Sequence, residues 1–258
     1  MTDLLPVAPW GLAASATLAG VAWAGSVMRH DASLVDRWWS ALIAASALAY
    51  AVVLPASGSR ALAMGALLLV WALRLAIYIS WRNWGHGEDR RYQAIRARNQ
   101  PNFAFKSLYL VFGLQAAIAW IVAMPFLAGF AIDAPFGVAG GIGAALAAFG
   151  IVFEAVADAQ MARFQADPAN RGQVMDRGLW RLSRHPNYFG EACAWWGLWL
   201  MAVPAGGAWS IVSPLVMTTL LLKVSGVTLL EQDIGERRPA YRDYILRTSA
   251  FVPWWPKR

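Results

Sequence analysis

Long apolar stretches alternate with short segments crowded with arginine, and no other feature of the chain limits its fold as much. Seven stretches are apolar enough to be read as membrane spans, at roughly residues 7–28, 38–54, 61–81, 107–127, 136–157, 188–204 and 208–230. A helix rises 1.5 Å per residue, so crossing a hydrocarbon core of about 30 Å takes about 20 of them. The composition agrees: 59% of the 258 residues are hydrophobic, 14% are charged and 15 are tryptophan. A soluble chain averages roughly half apolar and about a quarter charged. The expected fold class is therefore all-α, with residues 1–258 forming a single integral membrane bundle of seven transmembrane helices. Pro55, Pro125, Pro135, Pro186 and Pro204 fall at or near the expected helix ends, where a missing N–H costs least. No repeat of 20–50 residues, no low-complexity tract and no removable signal peptide is evident.

Lysine and arginine set the orientation. Nineteen of the 22 lie in the segments after spans one, three and five and in the C-terminal tail, while Arg60 stands alone on the other side. The positive-inside rule then puts the N-terminus outside and the C-terminus in the cytoplasm. The net charge of +7 is accounted for by these loops, and nucleic acid is not expected as a partner. His30, His86, His185 and nearly all the acids fall on the same side, as a site served from the cytosol requires.

Ionisable residues inside spans cost about 2.5–3.5 kcal/mol on insertion scales, so they mark function by default. Arg74 lies eight residues before Arg82, with Tyr78 one turn on. Glu154 and Asp158 share one helical face, and Arg163 follows. Asp36 opens span two, either as a helix cap or as a buried acid. In SRHPNYFGEACAWWGLWLMAV, residues 183–203, Pro186 suits a first helical turn with Ser183 or His185 near the cap. The N–H groups of such a helix end attract anions. Asn187 and Glu191 follow one turn apart, and Arg177, Arg181 and Arg184 crowd the entrance. Phosphates would sit at this mouth, with a polar headgroup reaching toward Asn187 and Glu191. WRNWGHGEDRRYQ (81–93) and PAYRDYILRTSAFVPWWPKR (239–258) join the same side, the latter as an interfacial tail anchored by Trp254 and Trp255 or as a lid.

No GxGxxG, GxxxxGK[ST], CxxC or HExxH pattern occurs, and the histidine spacings support no metal site. The single cysteine, Cys193, reads as a small core residue.

Four segments, WRNWGHGEDRRYQ, EAVADAQMARF, DRGLWRLSRHPNYFGE and YRDYILRTSAFVPWWP, together resemble the bacterial membrane branch of the steroid 5α-reductase family. They cover most of residues 71–258 in the family's order. The resemblance implies a seven-helix reductase that takes NADPH from the cytosol and saturates an enone. Asn187 and Glu191 match the residues that hold the cofactor. Asp158, Arg247, Arg74 and Asn83 match further family positions. The chain departs from the family at Val35 and Asp36, where eukaryotic members carry Gln-Glu. It departs again at Gln165, where Arg163 or Arg171 must substitute for an arginine. Cofactor contacts are expected from Arg74, Asn83, Glu154, Asp158, Arg163, Arg171, Arg184, His185, Asn187, Tyr188, Glu191, Tyr241, Tyr244 and Arg247.

The expected reaction is hydride addition to the β-carbon of a Δ4-3-oxo steroid or similar lipid enone entering from the bilayer. A hydrogen-bond donor must meet the charge that develops on the carbonyl oxygen. Tyr78 is the first candidate. Asp36 is the second, kept protonated by burial. A methyltransferase using S-adenosylmethionine, of the type that modifies isoprenylated cysteine, is the alternative, since its members carry a similar RHP turn. Such an enzyme has no need of arginines for phosphates. A monomer in contact with membrane lipid is expected.

Overall fold

The computed structural model describes residues 4–54, 58–224, 227, 231 and 239–257, and these residues contain helices and no strand. The main helices are α1 (Ala8–Arg29), α2 (Leu34–Val53), α3 (Gly58–Arg82), α4 (Arg90–Arg98), α5 (Phe103–Ala131), α6 (Gly137–Ala166), α7 (Pro186–Ala202), α8 (Gly207–Lys223) and α9 (Ala240–Arg247). Among the described residues four helices, α1, α3, α5 and α6, are long and apolar enough to cross a membrane, as in a membrane protein.

The other three expected spans are apolar helices with identifiable defects. Helix α2 carries Asp36 and Arg37 in its opening turn. Helix α7 has only 17 residues. Helix α8 is interrupted, beginning as a 3-10 turn and ending as a π-helical turn. Beyond Val224 the seventh expected span lies outside the described residues except for Val227, as do Pro55, Arg237, Arg238 and Arg258 of the basic and proline patterns. Pro125 does not end a span as expected. It falls at the start of a restarted helical segment within α5, where Ala123 O accepts from Phe126 N and the missing proline N–H is not needed.

The chain divides into two compact units. The first comprises Met1–Gly140 with Met201–Ser213. Small hydroxyl residues tie its helices by donating to backbone carbonyls: Ser46 to Gly11 at 2.9 Å, Ser40 to Ala72 at 2.9 Å, Ser15 to Ala116 at 3.2 Å and Ser213 to Val122 at 2.6 Å. Small polar residues let backbones approach closely where hydrophobic association gives no drive. Arg60, 2% exposed, donates to the carbonyls of Gly129, Ile132 and Ala134 and so caps the end of α5.

The second unit comprises Gly141–Leu200 with Pro214–Arg258. Its axis is a seam of small residues between α6 and α7. A Cβ on Gly190 would lie 2.6 Å from Glu154 N and 2.7 Å from Gly150 O, and one on Gly197 would lie 2.8 Å from Ala147 Cα. The two backbones therefore touch, and only glycine fits at these crossings.

Candidate functional site

In the second unit the small-residue seam carries the polar residues just beyond it into contact. Gly190 sits against the backbone of Glu154, so the next turn of α6 meets the first turn of α7. There Asn187 Nδ2 donates to Asp158 Oδ1 at 3.2 Å. Glu154, Asp158 and Glu191 are buried. The buried Oδ1 of Asn187 has no hydrogen-bond partner among the described residues. The amide thus spends its donor on the protein and keeps an acceptor for something else.

Arginines surround the loop that follows α6. Arg163, Arg171, Arg177 and Arg181 are exposed, and no ion pair engages them among the described residues. Arg184 differs from them. It donates through Nε and Nη2 to Glu231 at 2.7 and 2.8 Å, and through Nη1 to the carbonyls of Ile245 and Thr248. His185 Nε2 lies 3.0 Å from the same Glu231 Oε1, and the ring stacks on Tyr188 with centroids 5.4 Å apart. Burial alone would raise the Glu231 carboxyl, but the bonds from His185 and Arg184 outweigh it and hold the group down at about 2.

This cluster fastens the C-terminal segment. Tyr244 Oη donates to Trp180 O and to Ser183 O, and Ser183 Oγ donates to Phe251 O at 2.8 Å. Arg184 N donates to Ser249 O, and Trp254 N to Leu182 O, both at 2.8 Å. Tyr241 packs edge-on against Tyr244, and Arg247 Nη2 pairs with Asp176 at 2.7 Å. Of the expected cofactor residues, then, Arg184, His185, Tyr244 and Arg247 have polar atoms committed to holding the tail. The expected anion site at the start of α7 is partly filled in the same way, since Ser183 Oγ accepts the His185 N–H at 3.1 Å.

In the first unit, the segment after α3 clamps the α1–α2 turn. Asp36 Oδ1 accepts from Tyr92 Oη at 2.6 Å and its Oδ2 accepts from Arg91 Nη2 at 2.9 Å. Gln115 Nε2 donates to the same Tyr92 oxygen at 3.2 Å. Glu88 accepts from the Ala32 N–H at 2.8 Å and from Arg96 at 2.7 and 2.9 Å. Burial would raise the Glu88 carboxyl, yet these bonds bring it below its ordinary value. Asp89 caps α4 by accepting from Arg91 N at 2.9 Å. Asp36, the second candidate donor, has both carboxyl oxygens engaged, Oδ1 by Tyr92 Oη and Oδ2 by Arg91 Nη2.

Tyr78 is half-buried on α3, with the Arg82 guanidinium over its ring at 5.7 Å and Trp81 at 6.2 Å. Arg74 is half-buried one turn earlier. Asn83 Oδ1 accepts from Arg82 Nε at 3.2 Å, and its carbonyl accepts from Arg37 at 2.9 Å.

Sequence reasoning missed Tyr92 and Glu231. Tyr92 was visible in the 81–93 segment, but nothing there shows that α4 folds it back onto Asp36. Glu231 lies 47 residues from Arg184, a separation that gives no local signal.

A family model described as "Protein of unknown function (DUF1295)" matches residues 22–248. An uncharacterized protein of Schizosaccharomyces pombe is 27% identical over 277 aligned residues, which cover 94% of this chain and 78% of the relative. No solved structure matches.

Proposed function

The chain belongs to the DUF1295 family, and we propose that it is a seven-span, NADPH-dependent reductase of a 3-oxo-Δ4 steroid or similar lipid enone, with its cofactor residues on the cytoplasmic side. The reading rests on the four motif segments that resemble steroid 5α-reductases. One structural observation supports it most: the Asp158–Asn187 contact leaves a buried amide oxygen with capacity to accept. A carboxamide NH2 is a ligand group that such an acceptor suits. Arg163, Arg171, Arg177 and Arg181 offer cations to a pyrophosphate and a 2′-phosphate, and a guanidinium binds phosphate through a planar fork.

When bound, the dihydronicotinamide supplies the hydride that reaches the β-carbon of the enone. The chain's own residues have three tasks. Asn187 and Glu191 orient the carboxamide and a ribose hydroxyl. The arginines neutralise phosphate charge. Tyr78 donates a hydrogen bond to the carbonyl oxygen as negative charge develops there. Asp36 is the second candidate for that donor role, and it also engages Tyr92 and Arg91.

The test is titration of the detergent-solubilised protein with NADPH, NADH and S-adenosylmethionine, followed by incubation with a panel of 3-oxo-Δ4 steroids. The proposal expects NADPH to bind most tightly, Glu191→Gln and Asn187→Ala to weaken it about tenfold each, for one lost hydrogen bond of about 1.5 kcal/mol, and a product heavier by two hydrogens. Saturable binding of S-adenosylmethionine with none of NADPH would replace the reductase by a methyltransferase.

A further inference from the structure

We propose that residues 246–257 form a membrane-interface clasp whose tryptophans sit in the headgroup zone of an anionic phospholipid bilayer. Trp254 and Trp255 are 72% and 73% exposed, and Leu246 and Val252 are 74% and 56% exposed. Such a patch on a flexible tail would mean little, but this tail is held along its length. Arg184 N bonds Ser249 O, Ser183 Oγ bonds Phe251 O, Trp254 N bonds Leu182 O and Lys257 N bonds Arg247 O. The exposed indoles therefore occupy a fixed place.

That place adjoins an apolar stripe that a spanning helix would turn to lipid. Helix α6 is long and apolar enough to span, and it leaves Phe149, Val152 and Val156 exposed along one stripe. From this stripe an aromatic ladder leads to the tail. Phe149 meets Phe153 at 5.3 Å, Phe153 meets Phe189 at 5.7 Å, and Phe189 meets Phe251 at 5.8 Å. Phe251 immediately precedes Val252 and the tryptophans, so the apolar surface continues from span to tail. The level is fixed as well. Leu182, which receives Trp254, stands four residues before the start of α7, and Trp180 beside it donates to Ala157 O near the polar end of α6. The headgroups lie where a spanning helix turns polar, and indole is the side chain enriched there.

Charge selects the occupant. Lys257 is exposed on this segment and folds back onto the Arg247 carbonyl, while Arg247 itself, also exposed, pairs with Asp176. A basic residue near an anionic leaflet is attracted to it, and an apolar face rimmed by such residues is the pattern of an interfacial element. A second copy of the chain would have to bring acids to this surface.

The chain contains a single cysteine, so site-directed spin labelling needs only one background change, Cys193→Ala. Val252→Cys carries a nitroxide, and the protein is reconstituted in vesicles of phosphatidylcholine with phosphatidylglycerol. Relative accessibility to oxygen and to a polar nickel chelate gives depth, with Arg171→Cys as the aqueous reference. The proposal expects the Val252 label about 5–10 Å into the headgroup–acyl boundary. It also expects the label to move outward when Trp254 and Trp255 are both replaced by alanine, and when phosphatidylglycerol is omitted. A Val252 label as accessible to the chelate as the Arg171 label overturns it. So does a depth unchanged by either manipulation, or spin–spin broadening that vanishes on dilution with unlabelled protein, which identifies a second copy as the occupant.

Discussion

Replacing Glu231 with glutamine tests whether one carboxylate holds the C-terminal segment in place. Its two oxygens meet Arg184 at 2.7 and 2.8 Å and His185 at 3.0 Å, with the Arg184 and Glu231 side chains only 9% and 15% exposed. The carboxyl is held at about 2, against 4.5 for an ordinary glutamate. At 1.36 kcal/mol per unit, that difference corresponds to about 3 kcal/mol in favour of the closed tail. It is near the lower end of the roughly 3–5 kcal/mol that removing one partner of a buried pair costs. The sign follows from linkage. A depressed carboxyl contributes its full stabilisation above pH 4.5 and loses it as the pH falls from 4.5 towards 2. Hydrogen exchange at the Arg184 and Trp254 amides, which bond Ser249 O and Leu182 O, reads this opening directly. At neutral pH the Glu231→Gln variant should lose protection at both amides by about a hundredfold, since each 1.4 kcal/mol is tenfold. After correction for intrinsic exchange, the parent should open progressively below pH 4.5 while the variant shows no such slope. Equal protection in the two proteins at neutral pH, or parallel acid profiles, would refute the reasoning.

Three further outcomes rest on other residues. Gly190→Ala brings a methyl within 2.6 Å of Glu154 N and 2.7 Å of Gly150 O, both backbone, so the helices must part. Overpacking of this kind costs about 1–3 kcal/mol and should lower the melting temperature by several degrees in a fluorescence thermal scan; an unchanged melt would mean the seam is looser than described. Tyr78→Phe should lower enone turnover by roughly ten- to a hundredfold with NADPH binding kept, as expected for one lost donor to a developing oxyanion. Tyr92→Phe should change turnover little, because its hydroxyl is already spent on Asp36; the reverse ranking in steady-state kinetics would move the donor role to Tyr92.

Hydropathy carried the span reading well where every residue had to be apolar. The expected 61–81 segment is the middle of Gly58–Arg82, and 7–28 closely matches Ala8–Arg29. It carried less where polarity entered. Glu154, Asp158 and Arg163 did not end the fifth expected span, helix α6, which runs on to Ala166, since a helix may leave the membrane and continue in water. Helical spacing placed Asn187 and Glu191 one turn apart and Pro186 at the helix start, as observed. It gave no way to tell a ligand-facing arginine from a structural one. Arg184 and Arg181 look alike in sequence, yet one is buried against Glu231 and the other is exposed, because the partner comes from a distant part of the chain. Asp36 looked like a lone acid for the same reason: Arg91 and Tyr92 lie 55 and 56 residues away.

The buried arginine in the first turn of α3 bears on how the chain is built. Arg60 emerges from synthesis 69 to 74 residues ahead of the Gly129, Ile132 and Ala134 carbonyls that hold it. Until they arrive its guanidinium has no protein acceptors there, and sinking it unaided into hydrocarbon would cost several kcal/mol. On this reasoning α3 would hold its first turn at the aqueous boundary until α5 is in place, and the two would then settle together.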